Sequence, residues 1–159
     1  MSSIARTMAI LATTLTFLGA CTTTPGSSGS TSSGSTASGT EAAPVGTWEE
    51  VVKSDNQQVF IDTSSLKRSG DVVEASSKTN FASQMMTAGN KPYLSANNVY
   101  RLDCAQRKVA LKSIRAYSEP DLQGKVMQKA NFYEKNLQWM DAPTDSVFAH
   151  MVDFACERG

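Results

Sequence analysis

The chain has 159 residues, 15 basic and 15 acidic side chains and 40% hydrophobic residues, which leaves room for one ordinary domain. Setting aside Arg6 and Glu41, 14 basic and 14 acidic residues remain from Thr47 onward, so the folding part is neutral too. That balance excludes the one-signed field expected of a nucleic-acid binder, and no apolar run after Cys21 approaches the ~20 residues of a membrane-spanning helix.

Met1 to Met8 carries one charge, Arg6, ahead of an apolar stretch from Ala9 to Leu18, and Leu18-Gly19-Ala20-Cys21 follows. A basic start, a short apolar core and small residues before a cysteine form the bacterial lipoprotein export pattern, with cleavage before Cys21 and a diacylglycerol on its thiol. The stretch is too short for a transmembrane helix, and the abrupt change of composition at Cys21 argues against a buried N-terminal helix. Residues 1–20 are therefore expected to be a signal peptide and Cys21 the lipidation site. One acyl chain binds a membrane marginally and two bind it stably, so a fully acylated, palmitate-bearing cysteine anchors firmly. Thr22, where an aspartate would signal inner-membrane retention, resembles the Gram-negative sorting pattern for the outer membrane. The expected location is the cell envelope, on the outer membrane.

From Thr22 to Gly46 the chain is almost entirely Ser, Gly, Thr, Ala and Pro. Such a stretch buries too little apolar surface to offset its ordering entropy. Residues 21–46 read as a lipidated cysteine and a disordered tether spanning roughly 25–30 Å, in the simpler reading a neutral spacer without sequence-specific role and otherwise a device that lifts the folded domain clear of the lipid headgroups. With Cys21 assigned to lipid, Cys104 and Cys156 remain as an even pair in an oxidising compartment, where a disulfide is expected; two free thiols would suit a cytosolic chain. The bridge would close a loop of about 53 residues, worth on the order of 4 kcal/mol in the chain-entropy description.

The folding part is residues 47–159. Trp48 to Lys53 and Gln57 to Asp62 are short extended runs joined by the turn cluster Ser54-Asp55-Asn56. Ser69-Gly70-Asp71 then introduces a third run, Val72 to Phe81, whose Ser76, Ser77 and Thr79 predict one solvated face. Ala82 to Pro92 contains Gly89-Asn90 and Pro92 and reads as a long loop, in which Met85 and Met86 either tuck onto the core, the commoner fate, or stand out as an adaptable contact surface. Tyr93 to Cys104 resumes as a strand in which Tyr100, Leu102 and Cys104 alternate with Arg101 and Asp103, placing Cys104 on the inward face. Val109, Leu111, Ile114 and Ala116 belong to a fifth run whose phase changes near Lys112-Ser113, a bulge signal. Glu119-Pro120-Asp121 and Gly124 make a turn into a sixth run, Val126 to Tyr133. Pro143 with Thr144 or Asp145 then supplies an N-cap signal for an amphipathic helix over Ser146 to Cys156, with Val147, Met151 and Phe154 on its apolar face. The predicted fold is α+β and mostly β: an antiparallel sheet of about six strands, with one C-terminal helix packed on it and disulfide-linked to it.

An early Trp48, a Phe60-Ile61-Asp62 strand end, Tyr100-x-x-Asp103-Cys104, Trp139 and a terminal Pro143-x-x-Ser146 helix ending at Cys156 are similar, in order and spacing, to the surface-adhesin protein E family. The likeness spans roughly Thr47 to Cys156. It implies an antiparallel sheet with a C-terminal helix and a cysteine bridge. It also implies a lipoprotein attached to host matrix or plasma proteins such as vitronectin, laminin and plasminogen, a family in which haem has been noted as well. An envelope lipoprotein facing the periplasm, with a structural or assembly role and another envelope protein as partner, is the alternative. A homodimer fits either reading.

The residues themselves offer little chemistry. His150, the one histidine, flanks the apolar face of the predicted helix and reads as structural rather than as a catalytic group or metal or haem ligand. No Cys/His/carboxylate cluster has zinc spacing, no Asp/Asn-rich calcium loop is present, and no Gly-rich phosphate loop follows a strand. The expectation is a non-enzymatic protein without cofactor or metal. Lys67-Arg68 and Arg107-Lys108 fall at turns, where they read as solvated charges or as contacts for an acidic partner. A ligand-binding surface is expected on the segment 82–94, through Met85, Met86, Lys91 and Tyr93, because it is the longest loop and mixes adaptable apolar, cationic and aromatic groups.

Overall fold

The computed structural model describes residues 43–159; the expected signal peptide, Cys21 and most of the expected tether lie outside the described residues. Eight strands form one antiparallel sheet: β1 (Trp48–Lys53), β2 (Gln57–Asp62), β3 (Lys67–Ser69), β4 (Val72–Met86), β5 (Pro92–Asp103), β6 (Lys108–Tyr117), β7 (Val126–Asn131) and β8 (Trp139–Asp141). The main path runs β1-β2-β4-β5-β6-β7, with β3 added beside β4 and β8 beside β6. Among the described residues the one α-helix, α1 (Val147–Arg158), comes last in chain order. The six expected runs form that main path. The two further strands, each three residues long, are too short to carry a period of two, and they exist because a long neighbour offers unpaired backbone groups.

Alternation sets the two faces. Val59 and Ile61 of β2, Val73 and Ala75 of β4, Leu102 of β5 and Val109 of β6 are buried on one face, where Met151, Val152 and Ala155 of α1 pack against them. The bulge expected near Lys112-Ser113 is present: Tyr100 pairs with Leu111 and Val99 with Ser113, leaving Lys112 without a register partner. Cys104 and Cys156 are bonded, which ties the end of β5 to the last turns of α1.

The helix starts one step later than its sequence signal suggests. Ser146 is the N-cap, in extended conformation, and its hydroxyl accepts from the Ala149 N–H at 3.1 Å. Thr144 and Asp145 lie in the preceding turn, Asp145 with φ +63°, so neither can cap. At the other end α1 runs on to Arg158, past the expected stop at Cys156.

The larger correction concerns 82–92. This stretch is not a long loop: β4 continues to Met86 and β5 begins at Pro92. The last ladder pairs are Met85 with Tyr93 and Met86 with Pro92, while the four residues from Phe81 to Gln84 stand opposite the single Leu94. The Ala82 N–H also donates to Asn56 O at 2.9 Å. Ala82-Ser83-Gln84 has no strand-like composition, and its extended form comes from partners distant in sequence.

Candidate functional site

The four expected contact residues come together on the β4–β5 hairpin. Met85 faces Tyr93 across the ladder, and Lys91 lies in the turn that joins the strands. That turn is closed by the Thr87 N–H donating to Lys91 O, the Asn90 N–H to Thr87 O, and the Lys91 N–H to the Thr87 hydroxyl, at 2.9, 2.9 and 3.0 Å. Thr87 is consequently buried, and Asn90 takes the left-handed conformation, φ +56°, that asparagine tolerates. The two methionines remain 41% and 51% exposed. Tyr93 is half-buried, its ring edge-on to Phe81 at 5.5 Å between centroids. The hairpin is thus a hydrogen-bonded arm that presents two flexible thioethers and a lysine.

The charged pairs expected at turns are placed otherwise: Lys67 and Arg68 belong to β3 and Lys108 opens β6, leaving only Arg107 in a turn. Arg68 donates from Nη2 to Cys156 O at 2.6 Å and from Nε to Gly159 O at 2.6 Å, and so caps the carbonyl end of α1, where a cation is favoured. Arg107 forms a two-pronged pair with Asp153 of the same helix, at 2.5 and 3.2 Å. The hydrogen bond from Arg107 holds the Asp153 carboxyl below its usual range. Both arginines therefore fasten the helix to the sheet. Their pairing was not legible in the sequence, since 88 and 46 residues separate the partners.

On the face opposite α1, Glu74 accepts from Lys112 at 2.6 Å and from Arg101 at 3.4 Å, and Arg101 also donates to Glu134 at 3.1 Å. Burial works against the Glu74 charge, but Lys112 and Arg101 prevail and its pKa lies below normal. Two cations thus balance two carboxylates, with Arg101 Nε left without a hydrogen-bond partner. Further along this face, Lys78 donates to Asp121 at 2.9 Å with its ammonium 4.5 Å from the Phe60 ring centroid. The turn bearing Asp121 is also held by the Ser95 hydroxyl and buries Leu122.

Phe132, Tyr133, Trp139 and Met140 form a second set of exposed apolar residues, absent from the sequence reading as a binding surface. Only the concentration of aromatics around 132–140 hinted at it. Phe132 and Met140 flank Leu111, which pairs with Tyr100, seven residues along β5 from Tyr93 and so roughly 23 Å from the hairpin. His150 is exposed on α1. Among the described residues no group of three His, Cys, Asp or Glu side chains could hold a metal ion, and no helix is long and apolar enough to cross a membrane.

The family model for surface-adhesin protein E matches residues 48–157. Among solved structures, protein E of Haemophilus influenzae is similar at 17% identity. One of its structures has a TM-score of 0.50, with 74% of this chain and 92% of that chain covered; a second crystal form has 0.52, with 74% and 95% covered. Its selenomethionine form is similar with a TM-score of 0.51, covering 74% and 94%. At that identity the likeness establishes the fold alone. No curated protein matches.

Proposed function

Because the chain belongs to the surface-adhesin protein E family, we propose that it is a non-enzymatic adhesin, anchored to the outer membrane through a lipid on Cys21 and binding a host matrix or plasma protein through the β4–β5 hairpin. The observation that carries this reading is the exposure of Met85 and Met86 on a ladder-paired arm. Large apolar side chains held out by backbone hydrogen bonds offer contact area at little ordering cost, and methionine adapts to uneven surfaces. Lys91 and Tyr93 add a cation and an aromatic group of the kinds that interfaces use for orientation and anchoring. The eight-stranded sheet and the disulfide serve as the rigid support, and residues 22–46 as the tether that carries the domain clear of the lipid.

Replacing 83–93 with a Gly/Ser segment of equal length tests the reading, using whole cells on immobilised matrix and plasma proteins. Adhesion is expected to fall to the level of cells lacking the protein, while thermal unfolding of the domain remains cooperative. Unchanged adhesion sinks the hairpin assignment. Protease shaving of intact cells addresses orientation, since a domain cut only after the outer membrane is broken favours the periplasm-facing structural role. An unmodified Cys21 in mass spectra of the mature N-terminus would remove the anchor.

A further inference from the structure

A cleft of about 380 Å3 opens between the start of α1 and the sheet, on the same face as the core but beyond its packed part. Its walls are the side chains of Phe81, Tyr100, Phe148 and Met151, and its polar lining includes Thr79 and Asn98. The size lies at the lower end of small-molecule sites, about two and a half times the cavity that benzene occupies in an engineered core. Tyr100 and Phe148 meet edge to face, 6.0 Å between centroids, and set an aromatic wall.

Asn98 is the feature that the fold does not account for. Its side chain belongs to a residue only 8% exposed, and Oδ1 has no hydrogen-bond partner. A buried acceptor without a donor is uncommon and costly, and here the residue that bears it lines an apolar cleft wide enough for a ring. An aliphatic residue would fill the same strand position without that cost.

We propose that this cleft binds a planar aromatic group bearing one N–H or O–H donor, an indole or a phenol, with the ring against Phe81, Tyr100 and Phe148 and the donor on Asn98 Oδ1. The group has two sources of identical chemistry: a free small molecule, or a tryptophan or tyrosine side chain of a polypeptide. The site is separate from the exposed methionines of the hairpin and does not depend on the adhesive role. Its nearest link to them is the Phe81–Tyr93 ring contact.

The test uses the full chain carrying Cys21→Ser, which keeps acyl chains out of the assay. Indole is titrated with NMR detection of the Asn98 side-chain amide and the Met151 methyl. Saturable shifts at both are expected, with 1-methylindole, which has the same ring but no donor, binding about fivefold or more weaker. Asn98→Leu should abolish that difference while leaving ring binding. N-acetyltryptophanamide separates the sources: binding at least as tight as indole assigns the cleft to a polypeptide side chain, and exclusion assigns it to a free molecule. The proposal is overturned if indole leaves both resonances unmoved, as it would if water alone satisfies Oδ1. Equal affinity for indole and 1-methylindole in the parent protein overturns it too, a comparison that holds even if Asn98→Leu does not fold.

Discussion

Removing the Cys104–Cys156 bridge gives a perturbation whose size follows from topology. The cysteines are 52 positions apart, and the bridge forbids the unfolded chain from separating β5 from the end of α1. For a loop of that length the chain-entropy relation gives about 4 kcal/mol at 25 °C. A domain of about 113 residues unfolds with an entropy of roughly 0.24 kcal/mol per degree, so the loss corresponds to a fall in Tm of about 17 °C. The effect should lie mainly in the unfolded state, because α1 has other attachments in the folded one. Met151, Val152 and Ala155 remain buried, Arg68 caps the helix, and Arg107–Asp153 and Arg158–Glu49 pair across to the sheet. Calorimetry and urea denaturation of Cys104→Ala/Cys156→Ala against the oxidised parent measure the loss. Chemically reduced parent should match the double variant, since both lack the same constraint. A fall in Tm under about 5 °C would refute the loop-entropy account. A loss of cooperativity with α1 released would refute the claim that packing and ion pairs hold the helix unaided.

Other outcomes follow from individual contacts. Leu102→Ala, at a fully buried position facing Val73 and Val109, should cost about 2–5 kcal/mol in urea unfolding. Ser146→Ala removes the acceptor for the Ala149 N–H and should cost about 1 kcal/mol, with Ser146→Asp retaining most of the stability. Acid should destabilise the protein in a defined direction. Glu74 lies below its ordinary 4.5 because Lys112 and Arg101 outweigh burial; Asp121 lies below 3.8 through hydrogen bonds from Lys78 and Asn80, and Asp153 below 3.8 through Arg107. Each carboxyl binds a proton less readily folded than unfolded, so its contribution is complete above the unfolded value and disappears as pH falls through the folded one. Tm should be flat from neutrality to about pH 5 and decline below about pH 4; a rise on acidification would contradict the sign.

How much of this was legible beforehand depends on the range of the forces involved. The buried face of β5 could be read from Tyr100, Leu102 and Cys104, because strand geometry sends every second side chain to one side. The Lys112 bulge was visible as a break in that period. The bonded cysteine pair followed from the even count left after Cys21. The strand character of 82–86 was hidden, since Ala82-Ser83-Gln84 extends only through Asn56, just ahead of β2, and the flanking ladder pairs Asn80–Ser95 and Met85–Tyr93. The charged pairs misled for the same reason: Arg68 and Arg107 look solvated locally and meet their partners on α1 only after the chain closes.

By itself, then, the sequence determined the alternating faces, the order of the main strands, the amphipathic helix and the pairing of Cys104 with Cys156, all of which rest on local periodicity and counting. Tertiary structure alone decided that Met85 and Met86 sit on a paired arm, that two arginines fasten α1, and that Asn98 is left with an unused oxygen in an aromatic cleft. Those three depend on which distant groups become neighbours. Hydrogen-bond satisfaction and exposure are properties of the assembled surface, and no window of consecutive residues contains them.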